Sequence, residues 1–134
     1  MKGRRVLVTG MGGELGSLVA SMTERTEWAG DIMGFDVDPP RRNLQRSRFV
    51  RVGATQVDRI TELVAGFNPH VILHVGVWEP HARLSTDQAE ECTESVAKAV
   101  FQAAHAAPAL ETAVVRSGIE IYGAGTHTPN IAVE

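Results

Sequence analysis

What the chain lacks narrows the possibilities first. It has a single cysteine, Cys92, so no internal disulfide can form. It lacks a basic surplus: thirteen Lys and Arg stand against sixteen Asp and Glu, for a net charge of −3. A nucleic-acid partner is therefore not expected. No stretch of about 18 apolar residues is present, and no charged start leads into an apolar segment, so neither a membrane span nor a signal peptide is expected. His70, His81, His105 and His127 have no paired spacing and no cysteine nearby, which gives no metal site. Ser-His-Asp order, a nucleophile elbow and a phosphate-binding lysine motif are also missing. With 134 residues there is room for one domain. A cytoplasmic protein is the expectation.

What is there is an alternation of two periodicities. "RVLVT" at 5–9 is a short apolar run suited to a strand buried on both faces. Leu15, Leu18, Val19 and Met22 follow at helical spacing and define an apolar helix face. Further strands are expected at 31–36, 48–52, 71–75 and 112–117. Ile60, Leu63, Val64 and Phe67 mark one more helix, and an Ala-rich helix is expected over 85–106. Such alternation calls for an α/β fold: a doubly wound, Rossmann-type parallel sheet of about five strands with helices on both faces. The handedness of crossovers favours strand order 3-2-1-4-5. The whole of 1–134 reads as one nucleotide-binding domain, with 118–134 as a loop leading into an absent C-terminal part.

The stretch "VTGMGGELG" at 8–16 joins the first strand to the first helix. Gly10 suits a tight turn, Gly13 a close approach of the backbone to a pyrophosphate, and Gly16 close helix–strand packing. The N–H groups and positive end of the helix then face an anion. Twenty residues after Gly16 comes Asp36, where a dinucleotide fold places the acid that accepts the ribose hydroxyls. A carboxylate there favours NAD over NADP. Asp38 is able to share that role. Arg41 and Arg42 keep NADP as the alternative, unless they are simply solvated loop residues.

Taken together, Thr9, Gly10, Gly13 and Gly16 (T-G-x-x-G-x-x-G), "FD" at 35–36, "VILHVG" at 71–76 and "SGIEIYG" at 117–123 resemble the extended short-chain dehydrogenase/reductases. These are the NAD-dependent epimerases and dehydratases of nucleotide sugars, and the likeness is closest to UDP-glucose 4-epimerase-like members. It covers only the N-terminal part of such an enzyme. It implies a cofactor site made of Gly10, Met11, Gly12, Gly13, Glu14, Leu15 and Gly16, with Asp36, Val37, His74, Val75 and Gly76. His74 also has a reading as a structural histidine, and Trp78 as either a packing residue or a border of the cleft.

Departures from the resemblance matter for activity. Gly118 stands at the catalytic Ser/Thr position, Gly53-Ala54 where an adenine-reading acid is expected, and Thr93 in place of an Asn. The only tyrosine is Tyr122, and Thr126 follows it four residues later, so Tyr-x-x-x-Lys is absent. No catalytic residue is therefore assigned. The first expectation is the cofactor-binding part of an oxidoreductase acting on a nucleotide sugar through further polypeptide. A catalytically silent binding module and an interaction domain with a vestigial site are the alternatives. An uncovered edge on the fifth strand predicts self-association or docking there.

Overall fold

The computed structural model describes residues 3–117. Elements run β1 (Arg4–Thr9), α1 (Glu14–Thr23), β2 (Ala29–Asp36), β3 (Ser47–Arg51), α2 (Val57–Phe67), β4 (Val71–His74), α3 (Thr86–His105) and β5 (Thr112–Val115). The five strands are parallel and ordered β3-β2-β1-β4-β5, as expected. β1 is central, and its alternating side chains feed two cores. Leu7 joins Met33, Phe35 and Ile72 beneath α2 and α3, while Val6 and Val8 join Ile32 and Val71 beneath α1. Helices thus cover both faces.

Local chemistry sets the boundaries. α2 stops at Asn68, which takes the left-handed conformation (φ 49°) just before Pro69. Arg5 reaches across to the carbonyls of Phe67 and Asn68 at that end. α3 starts with a capping box in which Ser85 and Gln88 satisfy each other's backbone N–H. No helix joins β2 to β3. The connecting loop is instead tied down by Glu24, whose carboxylate accepts from the backbone N–H groups of Gln45, Arg46 and Ser47. Among the described residues no helix is long and apolar enough to cross a membrane.

Two expectations need correction. Of the Leu15, Leu18, Val19, Met22 stripe only Val19 packs on the core: Leu15 is 42%, Leu18 36% and Met22 58% exposed. The inward face of α1 is Gly16, Ser17, Ala20 and Thr23. Small residues let the helix lie close on β1 and β2, and Ser17 ties it down by donating to the Met11 carbonyl at 2.8 Å. The fifth strand is also shorter than 112–117, ending at Val115. Its residues are exposed, and it has no strand beyond it among the described residues.

Candidate functional site: a cleft at the carboxyl ends of the strands

A cleft of about 390 Å³ runs over the carboxyl ends of β2, β1, β4 and β5. That is where open α/β sheets bind ligands, and the size falls in the usual range. It gathers Gly10, Gly12, Gly13, Glu14, Leu15, Gly16, Asp36, Val75 and Gly76 from the sequence expectation. Asp38, Arg41, Trp78, Glu79, His81 and Arg116 line it as well. Tyr122, Gly118 and Thr126 lie outside the described residues.

The glycines divide the work. Gly10 has φ +68°, and a Cβ there would press on the backbone of Gly76, 2.8 Å away. A Cβ on Gly16 would collide with the Gly10 carbonyl oxygen, and one on Gly12 with the Asp38 carbonyl oxygen. These three are packing glycines. Gly13 differs: a Cβ there would meet only the Gly10 oxygen, at an ordinary 3.5 Å, and would otherwise project into free space. It is the N-cap residue of α1 and provides no side-chain cap. The N–H groups of Glu14, Leu15 and Gly16 have no partner among the described residues. A bare helix start beside free space suits a diphosphate, so the residues present fit a dinucleotide.

Asp36 closes one end. One of its carboxylate oxygens accepts from Gly12 N at 3.0 Å and the other from Val37 N at 2.7 Å. This fixes the carboxylate and leaves lone pairs for ribose hydroxyls. Burial raises its pKa above the ordinary value, against the lowering effect of the Val37 and Gly12 N–H groups. Arg41 lines the same cleft and pairs with Glu14 at 3.3 Å, both side chains being well solvated. Its backbone N–H donates to Ser17 Oγ, so the loop carrying it is pinned to α1.

Three residues from the expectation do not line the cleft. The Met11 side chain is fully buried, with its sulfur and methyl over Gly34. Val37 is exposed, and its role is the N–H it gives to Asp36. His74 is buried and meets the Phe101 ring edge-on at 5.3 Å. Its place in the site is indirect, through Thr9. Thr9 Oγ1 accepts from Val75 N at 3.1 Å and Gly76 N at 3.0 Å, and it lies 2.8 Å from His74 Nδ1. With both lone pairs engaged, its hydroxyl proton goes to Nδ1, so His74 is neutral and carries its proton on Nε2. Burial lowers the His74 pKa, in agreement. This junction joins the end of β1 to the loop after β4.

The signal for it was available, since Thr9 belongs to the glycine motif, but spacing does not show what a hydroxyl touches. Trp78 both packs on the core and borders the cleft, and Thr93 Oγ1 holds its backbone N–H at 2.9 Å. Gly53, at the expected position of the adenine-reading acid, gives its N–H to Gln56 instead.

A bare helix start, a fixed acid one strand away and a cleft at the strand ends define a Rossmann-type dinucleotide-binding domain. Comparison with known proteins goes one step further. The profile of the NAD dependent epimerase/dehydratase family matches residues 6–134, and the chain belongs to that family. The expected cofactor, NAD, is the one the family is named for.

Among solved structures, the Bordetella bronchiseptica enzyme WbmH in complex with NAD+ is similar at 20% identity and a TM-score of 0.60, over 75% of this chain and 34% of that one. Uronate dehydrogenase from Agrobacterium tumefaciens gives 22% and 0.58, over 79% and 38%. A short chain dehydrogenase family protein from Francisella tularensis gives 12% and 0.72, over 94% and 55%. At these identities the likeness establishes the fold. The chain spans between 34% and 55% of the length of these three proteins. No curated protein matches it.

Proposed function

We propose that this chain is the cofactor-binding part of an NAD-dependent oxidoreductase of the epimerase/dehydratase family acting on a nucleotide sugar, and that it needs further polypeptide to turn over. The observation that carries the reading is the open space at Gly13, in front of three unpartnered helix amides and one strand from Asp36. Once bound, NAD would supply hydride transfer. The chain's own contribution is to hold it: the α1 amides for the pyrophosphate, Asp36 for the adenosine ribose, and Val75-Gly76 along the cleft floor. Asp36 and Asp38 together oppose a 2′-phosphate, and two carboxylates outnumber the single guanidinium of Arg41 lining that end. No tyrosine or lysine lines the cleft among the described residues, so no proton donor of that kind is assigned.

A catalytically silent module is the second reading. Glycine at position 118 favours it, because further polypeptide does not restore a hydroxyl there. Calorimetric titration of the purified chain with NAD, NADH and NADPH tests both. NAD binding without turnover supports them, turnover by the chain alone overturns the need for further polypeptide, and no binding by any of the three removes the dinucleotide site. A cytoplasmic location belongs to the proposal and is checked by cell fractionation. So does a partner at the β5 edge, whose Val114 and Val115 are exposed.

A further inference from the structure

The end of the cleft furthest from Asp36 is built from residues that the cofactor reading leaves unused. Arg116 follows β5, two strand spacings or about 10 Å from β1, and its backbone N–H donates to the His74 carbonyl at 2.8 Å. Its side chain lines the cleft and is only 34% exposed. One guanidinium nitrogen pairs with Glu79 at 3.1 Å, and its remaining side-chain N–H groups have no partner among the described residues. Glu79 is 73% exposed, so its hold on the guanidinium is weak and readily displaced. Trp78 lines the same cleft, half-buried, with its backbone N–H held by Thr93 Oγ1.

A planar cation in the cleft suits a ligand that bears an anionic group, because the fork of N–H donors matches a carboxylate or phosphate. With adenosine over β2, pyrophosphate over β1 and the nicotinamide half continuing over Val75-Gly76 after β4, the β5 end borders the reactive end of the cofactor, where a second ligand would meet it. We propose that Arg116 anchors a carboxylate or phosphate group of a sugar-like substrate, with Glu79 as the counter-ion it exchanges on binding. This rests on the proposed function for the orientation of the cofactor, but not for the anion site itself.

The test titrates the 134-residue chain, with and without saturating NAD, with D-glucuronate, glucose 1-phosphate, inorganic phosphate and neutral D-glucose. At least one anionic sugar is expected to bind about tenfold or more tightly than glucose. Arg116→Gln removes that preference, and Arg116→Lys keeps part of it. Glu79→Gln strengthens anion binding by about two- to fivefold, since a competing carboxylate is gone. A purely structural Arg116 would not give that gain. Preference for glucuronate assigns a carboxylate, and preference for glucose 1-phosphate or phosphate assigns a phosphoryl group. The proposal falls if glucose binds as well as the anions or if no anion binds. It also falls if Arg116→Gln reduces NAD affinity as much as anion affinity. Failure of NAD to bind while anions still bind through Arg116 would overturn the proposed function alone.

Discussion

Gly13 and Gly16 sit three residues apart in one motif, yet alanine at each should fail for opposite reasons. Gly13 has φ −78° and ψ 171°, a conformation alanine adopts freely, and its new methyl would meet only the Gly10 oxygen at 3.5 Å. Alanine is a poorer N-cap than glycine by roughly 0.5–1 kcal/mol. Reduced freedom of the unfolded chain returns about 0.4–1 kcal/mol. The fold should therefore be nearly as stable as before. The methyl instead occupies the space proposed for the pyrophosphate, and such crowding costs about 1–3 kcal/mol, or roughly 5- to 150-fold in NAD affinity.

Gly16→Ala drives its methyl into the Gly10 carbonyl and to 3.0 Å from Met11 Cα, so α1 must move off β1. Overpacking of about 1–3 kcal/mol lowers the melting temperature by roughly 4–12 °C for a chain of this size. Calorimetry with NAD and thermal denaturation by circular dichroism separate the two effects. A Gly13→Ala chain that binds NAD like the unaltered protein, or that melts as low as Gly16→Ala, would refute the division of roles between these glycines.

Other outcomes follow from the same geometry. Asp36→Ala should weaken NAD binding by about ten- to a hundredfold through loss of charged acceptors for the ribose, and should narrow the gap between NAD and NADPH in parallel titrations. In the unaltered chain, NAD affinity should fall as pH drops through the raised Asp36 pKa, beginning above the ordinary 3.8, because only the carboxylate form accepts both hydroxyls.

His74 has a native pKa below 6.5, so the unfolded chain takes up a proton first as pH falls. Its contribution to stability should be full above pH 6.5 and be lost on descent to the native pKa. Urea titrations at a series of pH values should show this slope, flattened in His74→Asn. The β5 edge should make the chain associate at high concentration. Val114→Lys should then restore a monomer by sedimentation, whereas an unaltered chain that stays monomeric at millimolar concentration would argue against that edge.

Most of the fold was legible because its signals are local. Apolar runs at β1 and β4 mark strands buried on two faces, and turn residues such as Asn68-Pro69 mark the breaks. The strand order followed from chain handedness once the alternation was read. The α1 face was misread because periodicity finds a stripe of large apolar residues without showing what lies opposite. Close packing there selected Gly16, Ser17, Ala20 and Thr23, which carry little hydrophobic signal. The glycine loop and Asp36 were legible since a motif fixes both. The Thr9–His74 junction and the Arg116–Glu79 pair were not, because each joins residues distant in sequence that meet only when β1, β4 and β5 are aligned.

That alignment also sorts charge along the cleft. Asp36 and Asp38 stand at the β2 end with Arg41, bare amides at β1, and the Arg116–Glu79 pair at β5. A dinucleotide entering with its adenosine over β5 would leave two carboxylates facing the reactive end and place the ribose hydroxyls beside a cation. The opposite direction lets the carboxylates accept hydroxyls, puts the diphosphate on the amides and brings the nicotinamide toward the β5 end, where Arg116 would face a second ligand. On the proposed reading, the carboxylates after β2 and the amides after β1 set the direction before any substrate-specific contact is made. Moving the charge should move the preference. Arg116→Glu, beside Glu79, would turn the β5 end acidic, and binding of an anionic sugar there should be lost while binding of glucose persists.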